Sequence, residues 1–183
     1  MDRRQRKSRQ AMFAAFTELL EHKDFAQITV GEIIDRADVG RATFYAHFET
    51  KEFLLKELCR ELFCHIFDFQ QTPPARHQHI FDCTPTGCVF QHLFAHLQKN
   101  DNGVLRLLSG QNNELFLGYF KTGLRTLVMG QLPRFAARKD PKLPEDFWVD
   151  HITATFIATL RWWVENGMEQ SPETITEYFC LSV

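Results

Sequence analysis

The sequence lacks the features that mark membrane-spanning and secreted proteins. No apolar run reaches the roughly 18 residues of a membrane span. The charged N-terminus also lacks the apolar core of a signal peptide. We therefore expect a soluble protein of the cytoplasm with no membrane partner.

The sequence also lacks the motifs on which many enzymes depend. It contains no glycine-rich phosphate loop, no strand-turn-helix nucleophile motif and no pair of carboxylates on one helix face. These absences disfavour an enzyme that uses cysteine or histidine as its reactive group. We predict that the chain is not an enzyme and needs no cofactor.

Cysteine pairs are missing as well. The five cysteines are odd in number and include no Cys-x-x-Cys pair, which argues against a disulfide framework. They are expected to be free, mostly buried thiols in a reducing compartment.

The histidines suggest two metal sites, and neither is favoured. His77 and His79 lie near Cys83, but that stretch offers no carboxylate or cysteine pair at ligand spacing. His92 and His96 lie four residues apart on a predicted helix, which is a spacing that zinc sites use. The sequence supplies no Glu or third ligand at matching spacing, so satisfied or exposed histidines are the favoured interpretation. We predict no metal site.

Charge is present in nearly balanced amounts but is unevenly distributed. The 21 basic and 23 acidic residues give no excess that would coat nucleic acid, yet five cations fall within the first nine residues. We interpret residues 3–9 as a mobile basic arm that could contact phosphates. A first helix should follow over residues 10–22, because its apolar residues share one face.

Residues 29–51 carry the most informative pattern. Thr29 is a suitable N-cap, and the apolar spacing over residues 30–37 predicts a two-turn helix. Residues 38–40 then break this helix. Gly40 is the expected site of a backbone conformation closed to most residues.

A second short helix is predicted to begin at Arg41. It would bury Phe44 and Phe48, which lie four residues apart, and turn its polar side chains to solvent. Two short helices joined by such a turn form a helix-turn-helix, whose second helix enters the DNA major groove.

The stretch resembles the DNA-binding domain of TetR-like bacterial transcriptional repressors. The residues that carry this resemblance are Thr29-Val30, Ile33, Ala37, Val39, Ala42-Thr43-Phe44-Tyr45, His47-Phe48, Lys51 and Leu54-Leu55. The run from Leu160 to Met168, followed by Ser171-Pro172-Glu173, is similar to the C-terminal domain of one branch of that family.

The pattern and the resemblance together predict the DNA contacts. Arg41 is the best candidate for a bidentate guanine contact, and Thr43 could meet a thymine methyl or a phosphate. The resemblance implies phosphate contacts by Tyr45, His47 and Lys51, and by Thr29 at the N-terminus of the preceding helix. The predicted DNA-binding set is Thr29, Arg41, Ala42, Thr43, Tyr45, Ala46, His47 and Lys51. Gly31 departs from the family pattern, because many members carry a long polar or basic side chain at that position.

The remaining sequence predicts only helices. A long fourth helix should run from Lys51 to about Asp68, followed by a loop over residues 70–84. Further helices are expected over residues 84–98, 104–108, 112–135, 145–166 and from 171 onward, with a turn at 100–103. Phe116, Tyr119 and Phe120 could line a pocket for a small apolar or aromatic effector, although the core is the favoured interpretation for each. Gly118 and Gly123 are costly in a helix, and close packing is the default explanation for them.

The predicted helix over residues 145–166 is apolar on nearly all sides. Such a helix must be covered by its own domain and by a second surface. Together with the last helix of each subunit it would form a four-helix dimer interface, which is also what the resemblance implies.

The fold class predicted is all-α. An N-terminal three-helix helix-turn-helix domain should span residues 1–50, and a larger helical ligand-binding and dimerisation domain should span residues 51–183. The expected function is a transcriptional regulator, with a repressor favoured, that binds a palindromic double-stranded operator as a homodimer and is released by a small effector. The alternative is the same DNA-binding role with a C-terminal domain that binds a protein partner.

Overall fold

The computed structural model describes residues 3–71, 88–99, 103, 107–108 and 113–183. Within these residues the chain forms eight α-helices and two 3₁₀ helices, Gly103, Leu107 and Leu108 are also helical, and no strand is present, which confirms the all-α prediction. The α-helices are α1 (Arg3–His22), α2 (Val30–Arg36), α3 (Arg41–His47), α4 (Lys51–Gln71), α5 (Val89–Lys99), α6 (Asn113–Phe135), α7 (Glu145–Glu165) and α8 (Pro172–Leu181). The 3₁₀ helices are Phe25–Gln27 and Ala136–Arg138.

Apart from the starts of α1 and α5, the helix boundaries lie within three residues of the predicted ones. α5 begins at Val89, whereas its predicted start at residue 84 lies outside the described residues. α4 is a few residues longer than predicted, because it continues through Gln71. The rest of the predicted loop to residue 84, the histidines and cysteine within it, and residues 100–102 of the predicted turn at 100–103 lie outside the described residues. Gly103, the last residue of that predicted turn, is helical, so the turn prediction is wrong at this residue. No described helix combines the length and the apolar character needed to cross a bilayer.

The basic N-terminal stretch is helical, so the prediction of a mobile arm is wrong. α1 begins at Arg3 and continues without a break to His22. The physical reason is that Arg, Lys and Gln are good helix formers and residues 3–9 contain no Gly or Pro. The basic side chains are therefore held on a rigid helix.

The first three helices form a small aromatic core. Phe13 of α1 meets Phe48 edge to face with ring centroids 5.4 Å apart, and Phe44 lies 5.8 Å from Phe48. All three rings are fully buried. α1 thereby fixes the orientation of α2 and α3, as the apolar face of residues 10–22 predicted.

The C-terminal helices pack around a second group of phenylalanines. α4 packs along α6 and α5, α5 packs on α8, and α7 packs on α6 and α8. Phe94 stacks on Phe156 at 4.4 Å, and Phe90 lies 5.0 Å from Phe179. The described cysteines form no disulfide, and burial raises the pKa of the Cys59 thiol to about 12.

Gly123 allows α4 and α6 to approach closely. A Cβ added at Gly123 would lie 2.1 Å from a ring atom of Phe63 on α4. The default explanation, close packing, is therefore confirmed for Gly123. It does not apply to Gly118, because nothing lies within 4 Å of a Cβ added there.

The two parts of the molecule share one continuous core. The buried apolar residues of α1 to α3 and those of α4 to α8 belong to a single cluster. On the surface of this junction Arg9 of α1 pairs with Glu57 and Glu61 of α4, with both N–O distances 2.9 Å. α4 therefore contacts both α1 of the N-terminal domain and the C-terminal helices.

Candidate nucleic-acid interface

α2 is held at its N-terminus by a capping box. The Thr29 hydroxyl accepts from the Glu32 amide at 3.2 Å, and the Glu32 carboxylate accepts from the Thr29 amide at 2.9 Å. Lys23 donates to the same carboxylate. These contacts, the Lys23 hydrogen bond first, lower the pKa of Glu32 to about 2. The predicted N-cap is confirmed, and its exposed Thr29 lies at the end of α2 where free amides favour an anion.

The turn between α2 and α3 uses Asp38, and not Gly40, for its left-handed residue. Asp38 has φ 51°, whereas Gly40 is extended with φ −74° and ψ 153°. Aspartate tolerates this region because its short polar side chain can hydrogen-bond locally. The predicted position of the turn is right, but the residue assigned to the special backbone conformation is wrong.

α3 presents one face to the core and the other to solvent. Phe44 and Phe48 are fully buried, whereas Arg41, Ala42, Tyr45 and Ala46 are exposed. Tyr45 leaves 49% of its surface accessible and rests against the edge of Phe44 with centroids 5.4 Å apart. The rigid core beneath α3 therefore fixes the outward side chains in position.

Thr43 and His47 are half-buried because they line a groove between α3 and the first turns of α1. Its lining residues are Arg4, Gln5, Ser8, Asp38, Val39, Gly40, Ala42, Thr43, Ala46 and His47. The helical start of α1 brings Arg4 and Ser8, which lie four residues apart, onto the side that faces α3. The spacing of Arg4 and Ser8 is visible in the sequence, but it indicates a shared face only if residues 3–9 are helical.

His47 is poorly suited to carry a positive charge. Burial, and next the positive charge of Arg9, lower the pKa of His47. A neutral imidazole can still donate a hydrogen bond to a phosphate oxygen. A phosphate contact by His47 therefore does not require an imidazolium, because the neutral ring can supply the hydrogen bond.

Arg9 belongs to the framework and not to the exposed basic surface. Its guanidinium binds the two α4 carboxylates and also lies 4.9 Å from the Phe13 ring centroid and 5.3 Å from that of Phe48. The basic cluster near the N-terminus therefore contributes fewer cations to the surface than its composition indicates.

The Lys51 ammonium also makes hydrogen bonds within the protein. It donates to the carbonyl oxygens of Phe25, Ala26 and Ile28 at 2.9, 3.2 and 2.8 Å. It also lies 4.8 Å from the Phe25 ring centroid. An ammonium has three hydrogens, so a phosphate contact by Lys51 would require one of these bonds to break. The structure shows this internal contact of Lys51, and the predicted phosphate contact stays a prediction.

The residues predicted to line an effector pocket are divided between core and surface. Phe120 is fully buried, with its ring 5.2 Å from Phe63, and Tyr119 is half-buried. Phe116 alone of the three lines an apolar cavity, whose volume is about 70 Å³. A site for a drug-sized molecule needs roughly 300–1,000 Å³, so this cavity as described is too small for one.

Two family models match the chain over most of its length. Residues 12–58 match the model described as bacterial regulatory proteins, tetR family. Residues 87–182 match the model described as a transcriptional regulator C-terminal region. The two matches fall on either side of the predicted loop and together include the helix-turn-helix and the last four helices.

Among curated proteins, an uncharacterized HTH-type transcriptional regulator, YxbF of Bacillus subtilis (strain 168), is 38% identical over 71 residues. That match covers 36% of this chain and 19% of the relative, so the chain spans about a fifth of that protein's length.

Solved structures match over nearly the whole chain. A TetR transcriptional regulator from Streptococcus agalactiae 2603V is 33% identical with a TM-score of 0.68, and the match covers 97% of this chain and 94% of that one. A putative TetR-family regulator from Syntrophomonas wolfei str. Goettingen is 17% identical with a TM-score of 0.68, covering 97% and 93%. The dihydroxyacetone kinase operon activator DhaS is 17% identical with a TM-score of 0.65, covering 96% of each chain. At 17% identity these last two support the fold alone.

Proposed function

Because this chain belongs to the TetR family of bacterial transcriptional regulators, we propose that it binds a palindromic DNA operator as a homodimer and represses the gene it controls. Membership of this family of DNA-binding regulators confirms the prediction that the chain is not an enzyme. A bacterial regulator must reach DNA, which supports the cytoplasm as its location.

The observation that carries the proposal is the exposed face of α3, which lies opposite the buried rings of Phe44 and Phe48. Arg41 stands at the first position of α3, where its guanidinium can reach a guanine edge when the helix enters the major groove. The small side chains of Ala42 and Ala46 permit a close approach to the bases. Thr43 is placed beside them to contact a thymine methyl or a phosphate.

Phosphate contacts on both sides of α3 would fix its register. We assign them to Tyr45 and His47 on α3, to Thr29 at the start of α2, and to Arg4 across the groove. Lys51 would act indirectly, since its bonds to three carbonyls hold the chain before α2 against the start of α4. Lys51 is therefore a positioning residue in this proposal.

The surface assigned to the dimer is the outer side of α7 and α8. Phe147 and Trp162 on α7 and Tyr178 and Leu181 on α8 are large apolar residues with 44% or more of their surface exposed. Trp162 and Tyr178 lie edge to face at 6.1 Å, so they form one continuous patch across both helices. Burying this patch against a second copy would remove apolar area from water and bring the two α3 helices into one dimer.

An effector would act through α4. This helix is joined to α1 by Arg9 and packs on α5 and α6, so a change among the C-terminal helices can alter the spacing of the two α3 helices. Coupling of about 1–3 kcal/mol would suffice for a switch. We propose a ligand of the C-terminal domain as the effector, in preference to a protein partner.

The test is a gel shift on operator DNA selected from a random pool by the purified protein. Arg41→Ala with Tyr45→Ala should weaken specific binding by at least about 5- to 160-fold, because one bidentate base contact is worth about 1–3 kcal/mol. Lys142→Ala is the matched control, since Lys142 is exposed in the loop before α7 and its loss also removes one positive charge. Equal binding by all three proteins would refute the assignment of α3.

A further inference from the structure

Three histidines from two helices meet in the interior of the C-terminal domain. His65 lies on α4, and His92 and His96 lie one turn apart on α5. All three are buried, with exposures of 5%, 2% and 3%. The ring centroid of His65 lies 5.2 Å from that of His92 and 4.7 Å from that of His96. The packing of α4 on α5 thus supplies the third ligand that sequence spacing did not indicate.

The imidazole nitrogens converge on one point. Nε2 of His92 and Nε2 of His96 are 3.0 Å apart, and one nitrogen from each of the three rings lies within 4.8 Å of the others. In a tetrahedral zinc site with Zn–N bonds of about 2.0–2.1 Å, ligand atoms lie about 3.3 Å apart. Two of the rings are therefore already near ligand spacing, and the third must move by at most about 1.5 Å, the difference between 4.8 and 3.3, to reach it.

The chemistry of the ligand set also suits a transition metal. Imidazole ligands suit zinc and other late first-row transition metals better than magnesium or calcium.

We propose that His65, His92 and His96 form a binding site for one divalent transition-metal ion of the zinc type. Three protein ligands leave a fourth position for water or an exogenous ligand. The apolar cavity of about 70 Å³ that His96 lines has room for a ligand of that size. Charged groups that would compete for the ion are absent among the described residues lining that cavity.

The position of the site gives it a regulatory consequence that rests on the proposed function. The metal would join α4, which leads from the helix-turn-helix, to α5. The cavity beside His96 is also lined by Thr17 and Leu20 of α1. A bound ion would therefore fix the junction between the DNA-binding helices and the C-terminal domain, and operator affinity would change with metal loading.

The first experiment measures the metal alone on the full-length protein. After removal of metal by a chelator, Zn²⁺ is titrated in competition with a chromophoric chelator. We expect one ion per chain for the wild type. Loss of a group that only hydrogen-bonds a metal ligand costs about 10–100-fold in metal affinity. His65→Gln and His96→Gln each remove a ligand itself, so each should lose at least about 100-fold.

Matched controls test whether other histidines bind the ion. His151→Gln removes an exposed histidine of α7, and His77→Gln with His79→Gln removes the pair near Cys83. These variants should bind Zn²⁺ as the wild type does. Loss of binding in a control together with retention in His65→Gln would overturn the site, as would a wild type that binds no Zn²⁺.

A spectroscopic measurement keeps the proposal testable if a core variant fails to fold. X-ray absorption of the Zn²⁺-loaded wild type should show a nitrogen and oxygen shell at about 2.0–2.1 Å with imidazole scattering. A sulfur shell at about 2.3 Å would mean cysteine ligation and would overturn the site.

Operator gel shifts with Zn²⁺ or chelator then test the regulatory consequence. A Zn²⁺-dependent change in affinity for the wild type, absent in a His65→Gln variant that still binds operator, supports it. Zn²⁺ binding with unchanged operator affinity would refute regulation while leaving the site intact. Failure of every protein to bind operator would instead refute the proposed function, because the metal titration does not depend on DNA.

Discussion

Replacement of Gly123 by alanine tests how tightly α4 is held against α6. A Cβ at this position would lie 2.1, 2.5 and 2.6 Å from three atoms of the Phe63 ring. Carbon atoms in favourable contact are about 3.5–4.0 Å apart, so the ring or the helices must move by about 1.4 Å, the difference between 3.5 and 2.1. Phe63 has little freedom to move, because it is 4% exposed and packs on Phe120 at 5.2 Å.

The expected cost follows from two opposing effects. Overpacking of a core costs about 1–3 kcal/mol, and a clash this close belongs at the upper end. Alanine is favoured over glycine inside a helix by about 1 kcal/mol. Gly123→Ala should therefore lower the free energy of unfolding by about 2 kcal/mol.

Gly130→Ala is the matched control in the same helix. Nothing lies within 4 Å of a Cβ added at Gly130, so this change should raise stability by about 1 kcal/mol. Urea denaturation followed by tryptophan fluorescence, at one protein concentration for all variants, measures the difference of about 3 kcal/mol between the two. If Gly123→Ala proved as stabilising as Gly130→Ala, the close approach of α4 and α6 would be refuted.

Three further predictions concern the helix-turn-helix and the dimer. Lys51→Met should cost about 2 kcal/mol of stability in urea denaturation, because hydrogen bonds from a charged donor are lost; unchanged stability with weaker DNA binding would instead favour the phosphate contact. The ionised Glu32 carboxylate contributes stability that is fully present above pH 4.5, its ordinary pKa, and is lost as the pH falls to about 2, so Glu32→Gln should lower the free energy of unfolding only above that window. If urea denaturation gave the same difference between wild type and variant across the window, the lowered pKa would be contradicted. Trp162→Glu should give a monomer in sedimentation velocity, whereas Met129→Glu, at another exposed apolar residue, should not; dimers in both would remove the last two helices from the interface.

The helix-turn-helix was predictable because its signals are local. The N-cap at Thr29, the break before α3 and the inward pair of phenylalanines are properties of adjacent residues, and the structure confirms each of them. The left-handed residue of the turn was assigned wrongly because Asp38 and Gly40 can both adopt that conformation, and the sequence does not distinguish between them.

The contacts of Lys51 and His65 were not predictable, because they are made with residues far away in sequence. Lys51 donates to carbonyls 23 to 26 positions earlier in the chain. His65 meets His92 and His96 only through the packing of α4 on α5. No periodicity in the sequence indicates such contacts. The sequence therefore predicts a phosphate contact for Lys51 and no third ligand for His92 and His96.

Footprinting of the operator complex tests the central claim most directly. Two α3 helices presented by one dimer should protect two symmetric half-sites whose centres lie about 10–10.5 base pairs apart, or a multiple of that spacing, with protected guanines that become reactive in Arg41→Ala. A single protected half-site, or a footprint that Arg41→Ala leaves unchanged, would contradict recognition of DNA by paired α3 helices.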